Sequence, residues 1–586
     1  MSKSCKRSSF VWFFVAVCFI IITYSQDRLL PRGRVSVSPA AASHQCPAIP
    51  PSKPYVKPKS DRFDWRAVPV KNPVSSLSSL PTTSPTPLPR IQHVFADDTL
   101  DATTKDRQNA IRETFQRAWK SYHDKAWMKD ELSPVSGGFR NRYGGWAATL
   151  VDSLDTLWIM DMKPEYEEAV KAAMTINFSP DTLSQDTIST FETNIRWLGG
   201  FLGAYDLTKC KDKRLLDKAV EVGDMLYASF DFPNHAPLGT WDVRKAAAGE
   251  EQHAVEDGIF AQFGSMSLEF TRLSQLTGDM RYFDAIQRLT NILDQQQNKT
   301  RLPGLWPQKY KPDTLDFTVD NSFTLGANAD SAYEYLPKMY ALLAGSEPAP
   351  QYARMHATAM DAATKHIFYR PMTPDNTDVL LAGKATASDS GISTDSESEH
   401  LTFFLGGMLL LSSRLFANAS HEDIGLRLAR GAAWTYRASP SGVSGENFHT
   451  VACAPGPCEW NETLWSSIAV PGTAKGFTRF GDGRYMLRPE AVESIFYAWR
   501  VTGDAAWREV AWTMWEAIDE HTRTEWANAA LQNAFQSNQP AKADDMESFW
   551  MAETLKYFYL IFSDPGLVSL DEFVLNTEAH PFRVPK

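Results

Sequence analysis

The sequence predicts an all-α protein whose paired helices close into a toroid, and three observations carry that expectation. Apolar residues recur at helical spacing through most of the chain, as in Ile111, Phe115, Ala118, Trp119 and Tyr122, and again in Ile195, Leu198, Leu202 and Tyr205. Two segments, Ala491 to Val501 and Phe549 to Phe562, are apolar around most of their circumference, as helices buried on all sides must be. A loose repeat runs between such segments. Ala204 to Thr208 leads to Asp212 and a new helical pattern, Leu273 to Gly278 leads to Asp279, and Trp499 to Gly503 leads to Asp504. Each reads as a helix ending at Gly or a polar turn, followed by a helix capped by Asp. Repeated helix–turn–helix units with very apolar inner members suggest an α/α toroid; a plain α-solenoid is the rival, and its repeat would be more regular.

The chain has 586 residues, enough for several domains or one large toroid, and 43% of them are hydrophobic, with 18 Trp and 33 Phe to build a core. The formal net charge of −11 argues against a nucleic-acid partner, which calls for a basic face.

At the N-terminus, Lys3, Lys6 and Arg7 precede an unbroken apolar run from Phe10 to Tyr24. A run of 15 residues is short for a bilayer span and suits thinner early secretory membranes. Bulky Ile20, Ile21, Ile22 and Tyr24 leave no small-residue cleavage site. The expectation is a cytosolic tail at 1–9 and a signal anchor at 10–24, with the remainder lumenal; a cleaved signal peptide and secretion are the alternative. Residues 25–95 hold 13 prolines with much Ser and Thr and read as a disordered stem, followed by a folded domain at 96–586.

Six cysteines are present, and Cys453 and Cys458 bracket a tight loop that could close as a disulfide in an oxidising lumen. No second Cys or His pair has zinc-ligand spacing. Sequons at Asn177, Asn298, Asn418 and Asn461 give weak further support for a lumenal setting.

The chemistry lies in carboxylates set beside aromatics inside apolar helices. Glu192 follows Phe191, Asp330 opens the run to Tyr335, Glu490 and Glu493 lie between Leu487 and Phe496, and Glu547 and Glu553 flank Phe549 and Trp550. A buried carboxylate needs a partner, a metal or a catalytic purpose. Ion pairs with Arg196, Arg488 and Arg500 that fix helix register would account for any one of them. Several together, each near a helix start, point instead to sugar cleavage by paired carboxyls. No Walker loop, dinucleotide fingerprint, His-Glu-x-x-His or Gly-x-Ser-x-Gly element is present. His400, alone at the head of an apolar helix, reads as a structural hydrogen-bonder.

At these residues the sequence resembles glycoside hydrolase family 47, the class I α-1,2-mannosidases. The resemblance runs from about Ala110 to Pro581. It takes in Asp130-Glu-Leu, Leu150-Val-Asp-Ser-Leu-Asp-Thr-Leu-Trp, Phe191-Glu-Thr, Ala329-Asp-Ser-Ala-Tyr-Glu-Tyr, His400-Leu, Leu487-Arg-Pro-Glu-Ala-Val-Glu-Ser, Glu553-Thr-Leu-Lys-Tyr and Asn576-Thr-Glu-Ala-His-Pro. It implies an (α/α)7 barrel closed at one end by a C-terminal β-hairpin near Phe573 to Pro581. It also implies one Ca²⁺ at the barrel floor and hydrolysis of terminal α-1,2-linked mannose from high-mannose N-glycans with inversion. Carried over by position, Glu192 matches the general acid, Glu490 the general base and Asp330 the third catalytic carboxylate. Thr577 matches the threonine that binds calcium through its carbonyl and hydroxyl oxygens. Glu493, Glu553 and Glu578 match acids around the ion and its waters, Phe549 an aromatic beneath the sugar, and Arg196 and Arg488 site arginines.

Three positions depart from the pattern. Gln262 stands where the family has glutamate, and Asn328 where members that remove a single defined mannose tend to carry Arg. Phe403 and the pair Ala432 and Ala433 stand where the usual disulfide cysteines are expected. Gln262 keeps alive a second reading, a mannose-binding factor of glycoprotein quality control that cleaves little. A toroid glycosidase for other sugars is a third. The expected setting is the endoplasmic reticulum or Golgi membrane, with the protein monomeric and bound to high-mannose glycoproteins.

Overall fold

The computed structural model describes residues 46, 49–58, 62–81, 85–96, 100–454, 456–536 and 539–586. Among them, inner segments 148–159, 190–207, 260–277, 330–342, 400–415, 490–502 and 550–561 touch one another in chain order around a ring, and the last returns to the first. The outer helices Ala102–Ala126, Lys163–Ala173, Lys213–Ala228, Met280–Gln296, Ala349–His366, Ala419–Ala438 and Ala506–Thr522 each pack on an inner partner. This is the (α/α)7 barrel. Inner helices are buried around nearly their whole girth, as in Gly199–Leu207 and Leu555–Ile561, whereas outer helices bury one stripe.

Two of the three repeated turns are built as the sequence predicts. Asp212 and Asp279 cap the outer helices that follow them, accepting the backbone N–H groups of Arg214 and Arg281, whereas at the third turn the N-cap is Ala505 and Asp504, one residue earlier, accepts from Ala506 N–H. Gly278 and Gly503 end the preceding inner helices with φ of 71° and 72°, a left-handed turn that costs glycine no Cβ clash.

The C-terminal hairpin pairs Phe573–Leu575 with Pro581–Arg583 and wedges between inner segments 199–207 and 330–342. Small residues let it in. A Cβ at Gly199 would lie 2.7 Å from Asn576 Nδ2 and 2.8 Å from His580 Cδ2, and one at Gly203 would lie 3.0 Å from His580 Cβ. The hairpin's turn, residues 576–580, is thereby held inside the ring.

The disordered stem expected at 25–95 does not hold for its described part. The described residues between 46 and 96 form a strap along the barrel wall. Trp65 and Ile91 are buried, Tyr55 donates to Asp217, Arg66 pairs with Asp224, and Lys71 and Asn72 donate backbone N–H groups to Asp231. Gln92 accepts from the buried Arg500, whose guanidinium also reaches the carbonyls of Pro565, Val568 and Leu560. Arg500 therefore anchors the strap rather than a catalytic carboxylate. A proline-rich chain lacks its own core, but the barrel supplies one, with acidic side chains satisfying backbone donors that no sheet pairs.

Cys453 and Cys458 are paired, as the spacing suggested, and Cys46 pairs with Cys210, clipping the strap to the barrel. Phe403 and Ala432, positions where the resemblance leads to an expectation of cysteine, are buried. The tail at 1–9 and the span at 10–24 lie outside the described residues. No described helix is long and apolar enough to cross a membrane.

The Cys46–Cys210 link closes a loop of 164 residues. By the chain-entropy estimate, a tie of that length contributes about 5 kcal/mol, roughly 5 °C of melting temperature for a chain this long. The double variant Cys46→Ser/Cys210→Ser is expected to melt about 5 °C lower. An unchanged midpoint by calorimetry would mean that the strap is not clipped.

Candidate active site

Six of the seven inner segments contribute residues to one cavity of about 340 Å³. Glu192, Asp330 and Glu490 line it together with Arg196, Gln262, Asn328, Arg488, Phe549, Glu493, Glu553, Thr577 and Glu578, so every residue expected at the site borders one space.

Irregular backbone aims these side chains. Segments Thr193–Leu198 and Trp550–Thr554 are π-helical, which rotates Arg196 and Glu553 relative to a regular helix. Asn328 and Leu487 adopt φ of 70° and 65° just before the helices that carry Asp330 and Glu490. Such left-handed non-glycine residues are strained and concentrate at functional sites.

Arg196 is buried and organises the acid side. It binds Glu192 at 2.9 Å, Glu578 at 2.9 Å, Asp152 at 3.3 Å and Ser548 Oγ at 2.9 Å. Behind it, His580 bridges Asp152 at 3.1 Å and Asp155 at 2.8 Å, and Lys556 also binds Asp155 at 2.9 Å. Burial works against charging His580, but the two aspartates overcome it and push its pKa up to about 9. Phe549 lies between two guanidiniums, 5.9 Å from Arg196 and 5.8 Å from Arg488.

The opposite wall is arranged differently. Burial pushes the Glu490 carboxyl up, but His400 Nδ1 at 2.9 Å and Arg488 at 3.7 Å outweigh it and hold it below the usual glutamate range. His400 is fixed in turn by the Tyr436 hydroxyl at 2.8 Å, and Arg488 by Glu446 at 2.6 Å. Asp330 has no cation so close. Burial and the charges of Glu334, Glu490 and Glu399 push it up to about 7, against one backbone N–H from Ser331.

Deeper carboxyls are crowded. Burial pushes Glu493 and Glu578 up to about 8, the former despite Lys338 and the latter despite Arg196. Glu553 is raised well above its ordinary range by burial and by Glu578, Glu490 and Glu493. Glu578 Oε2 is buried with no hydrogen-bond partner. Crowded oxygens short of positive charge, in a cavity that Thr577 also lines, suit a hard divalent cation such as Ca²⁺.

Several site residues escaped sequence reasoning. Glu399 accepts from the Ala327 N–H and pairs with Lys384 at 2.6 Å, while Glu446 and Tyr436 come from loops and outer helices far along the chain. His580, Asp152 and Asp155 lay within resembling motifs, yet no spacing shows that a hairpin turn meets a barrel helix. The two departures sit apart: Asn328 is exposed at the rim, and half-buried Gln262 reaches Gly239, where a Cβ would lie 2.4 Å from its Oε1.

Comparison with known proteins agrees with this geometry. The profile of glycosyl hydrolase family 47 matches residues 114–584. A mannosyl-oligosaccharide 1,2-α-mannosidase of Arabidopsis thaliana is 33% identical over 490 residues, 83% of this chain and 80% of its own. The endoplasmic reticulum mannosyl-oligosaccharide 1,2-α-mannosidase of Homo sapiens is 31% identical over 93% of this chain and 73% of its own. The solved α-1,2-mannosidase of Trichoderma reesei superposes with a TM-score of 0.74 at 32% identity, covering 82% of this chain and 99% of that one. With most of its length matched, its barrel shared and its converging carboxylates at the matching motifs, the chain belongs to glycosyl hydrolase family 47.

Proposed function

We propose that this protein hydrolyses terminal α-1,2-linked mannose from the high-mannose N-glycans of glycoproteins, with inversion at the anomeric carbon. The observation that carries the reading is the unequal environment of the facing acids. Glu490 is held ionised by His400 and Arg488, while Glu192 sits with Arg196 across the same cavity. Inversion asks for this division: a base that takes a proton from water on one face of the sugar, and an acid that protonates the leaving oxygen on the other.

In this reading Glu490 Oε accepts the water proton and Glu192 donates to the glycosidic oxygen. Phe549, braced by both arginines, packs against the apolar face of the ring. Thr577 and the buried acids Glu493, Glu553 and Glu578 are the residues that would hold Ca²⁺, and the ion would supply positive charge to offset theirs and a Lewis-acidic centre for sugar hydroxyls. Asp330 favours a second assignment of the donor. Raised to about 7, it keeps a proton near neutrality. If Asp330 donates, activity falls as pH rises through about 7, and Asp330→Asn removes that limb of the profile.

The relatives' names support work in the secretory pathway, and the apolar run at 10–24 supports a type II anchor with the barrel in the lumen of the endoplasmic reticulum or Golgi. The rival, a mannose-binding factor that cleaves little, rests on Gln262. Incubating the purified lumenal part with high-mannose glycan separates the two: free mannose supports the enzyme, and binding without release supports the rival.

Two further outcomes are expected. Glu192→Gln and Glu490→Gln keep shape and remove acid–base function, so each lowers kcat by roughly 10²–10⁴-fold with little change in glycan affinity. Equal loss of binding and rate would contradict these roles. Exhaustive EGTA treatment abolishes turnover and lowers the melting temperature, because an ion bound only by the folded chain stabilises it. Unchanged melting and activity would overturn the calcium assignment.

A further inference from the structure

Outside the catalytic pocket, a histidine and two carboxylates meet on a small sheet. Strands Glu397–Glu399, Asn447–Thr450 and Phe477–Phe480 pair antiparallel, and the register sets Glu397 opposite His449 and His449 opposite Arg479. Directly opposed residues project from the same face, so these three side chains form one row. Asp395 ends the strand Gly391–Asp395, just ahead of Glu397.

Three acceptor atoms converge there. His449 Nε2 lies 3.5 Å from Glu397 Oε2 and 3.6 Å from Asp395 Oδ1, and all three atoms fall within 4.8 Å of one another. Arg479, which can only donate, places a guanidinium nitrogen 2.6 Å from Nε2, so Nε2 carries a lone pair rather than a proton. Burial and the Arg479 charge hold the imidazole pKa below its usual value, against the pull of the two carboxylates. A lone pair and two carboxylate oxygens at this spacing repel unless a cation stands beside them. Lys384 is engaged at the other oxygen of Glu397, Oε1, at 3.0 Å, and with Glu399 at 2.6 Å. The cation at Nε2 is Arg479. His449 is 8% exposed and held in the sheet, whereas Arg479 is exposed and makes no other hydrogen bond or ion pair among the described residues.

The spacing is that of a metal's ligand shell. Zinc bonds of about 2.0–2.2 Å to imidazole nitrogen and carboxylate oxygen put tetrahedral neighbours ~3.3–3.6 Å apart, which matches both contacts of Nε2. A borderline divalent cation takes imidazole and carboxylate together, whereas Ca²⁺ prefers oxygen alone. None of the three residues borders the catalytic cavity. They are linked to it, since Lys384 joins Glu397 to Glu399, and Glu399 accepts the Ala327 N–H at 2.8 Å in the cavity wall. Among the described residues, a second group with such spacing, Cys46, Asp206 and Cys210, is already committed, because its sulfurs are joined to each other.

We propose that Asp395, Glu397 and His449 form a structural metal site for Zn²⁺ or a chemically similar divalent transition metal, with Arg479 as the side chain that vacates it and water as the fourth ligand. Bound there, the ion ties the hairpin at 384–395 to the sheet that leads into His400. No sequence motif announces the site, because its ligands come from separate strands and only the register brings them together.

The test is calorimetric titration of the whole protein with ZnCl₂ in excess CaCl₂, which keeps zinc from the crowded acids of the catalytic pocket. One equivalent binds in the micromolar range. Asp395→Asn, Glu397→Gln and His449→Ala each weaken it at least about tenfold, a loss that even partners behind metal ligands produce. Asp395 is exposed, so the first of these variants puts little of the fold at stake. Arg479→Ala tightens binding severalfold, because a competing cation has been removed. Zinc raises the melting temperature of the parent and of Arg479→Ala, but not of His449→Ala. Failure to saturate below millimolar zinc, binding indifferent to all three ligand substitutions, or weaker binding in Arg479→Ala overturns the site.

Discussion

Arg196 is the cation on which the barrel's interior depends. Its guanidinium is buried in a ring whose lining is dominated by carboxylates, and it binds Glu192 from its own helix, Asp152 from the first inner segment, Ser548 from the approach to the last, and Glu578 from the C-terminal hairpin. Four parts of the chain that are distant in sequence are thereby fixed around one planar, permanently charged group. Burying so many acids is costly, and removing this one partner would take from Glu192 and Glu578 the cation that each is paired with. The relay of His580, Asp155 and Lys556 behind Asp152 keeps Arg196 from turning away and ties the hairpin to the barrel wall. Closure of the ring and the placement of Glu192 and Glu578 are consequences of the same charge balance.

The barrel itself was legible in the sequence because its signal is local. Helix ends such as Gly278 before Asp279, and inner helices apolar all round, carry their structure in consecutive residues. The candidate site was legible for a different reason: its acids lie within motifs that resemble a family, so position supplied what spacing could not. The strap escaped because composition was read as fate. Thirteen prolines between 25 and 90 exclude a core of their own, but do not exclude docking on another one. Its anchors, Asp217, Asp224, Asp231 and Arg500, lie scattered across the chain. The Cys46–Cys210 pair was hidden for the same reason, since its partners are 164 residues apart. The partners of Glu490 show the limit most clearly: His400 looked like a lone structural histidine, yet its ring spans the distance from Tyr436 to the base.

The departures from the family pattern fall at the rim. Asn328 is exposed, in a left-handed conformation that asparagine tolerates better than most residues. Gln262, where the resemblance leads to an expectation of glutamate, is a neutral amide resting against Gly239. Neither change alters the partners of Glu192, Glu490 or Thr577.

The facing acids make the account decisive in one respect. A carboxylate that activates water from the face opposite the donor delivers the hydroxyl with inverted configuration, whereas a nucleophile would deliver retention through a covalent intermediate. Proton NMR of the sugar released in the first minutes, before mutarotation, reads this directly. β-mannose as the initial product of an α-linked substrate is the expected result. α-Mannose as the initial product would contradict the assignment of Glu490 as a base and of Glu192 as its opposite.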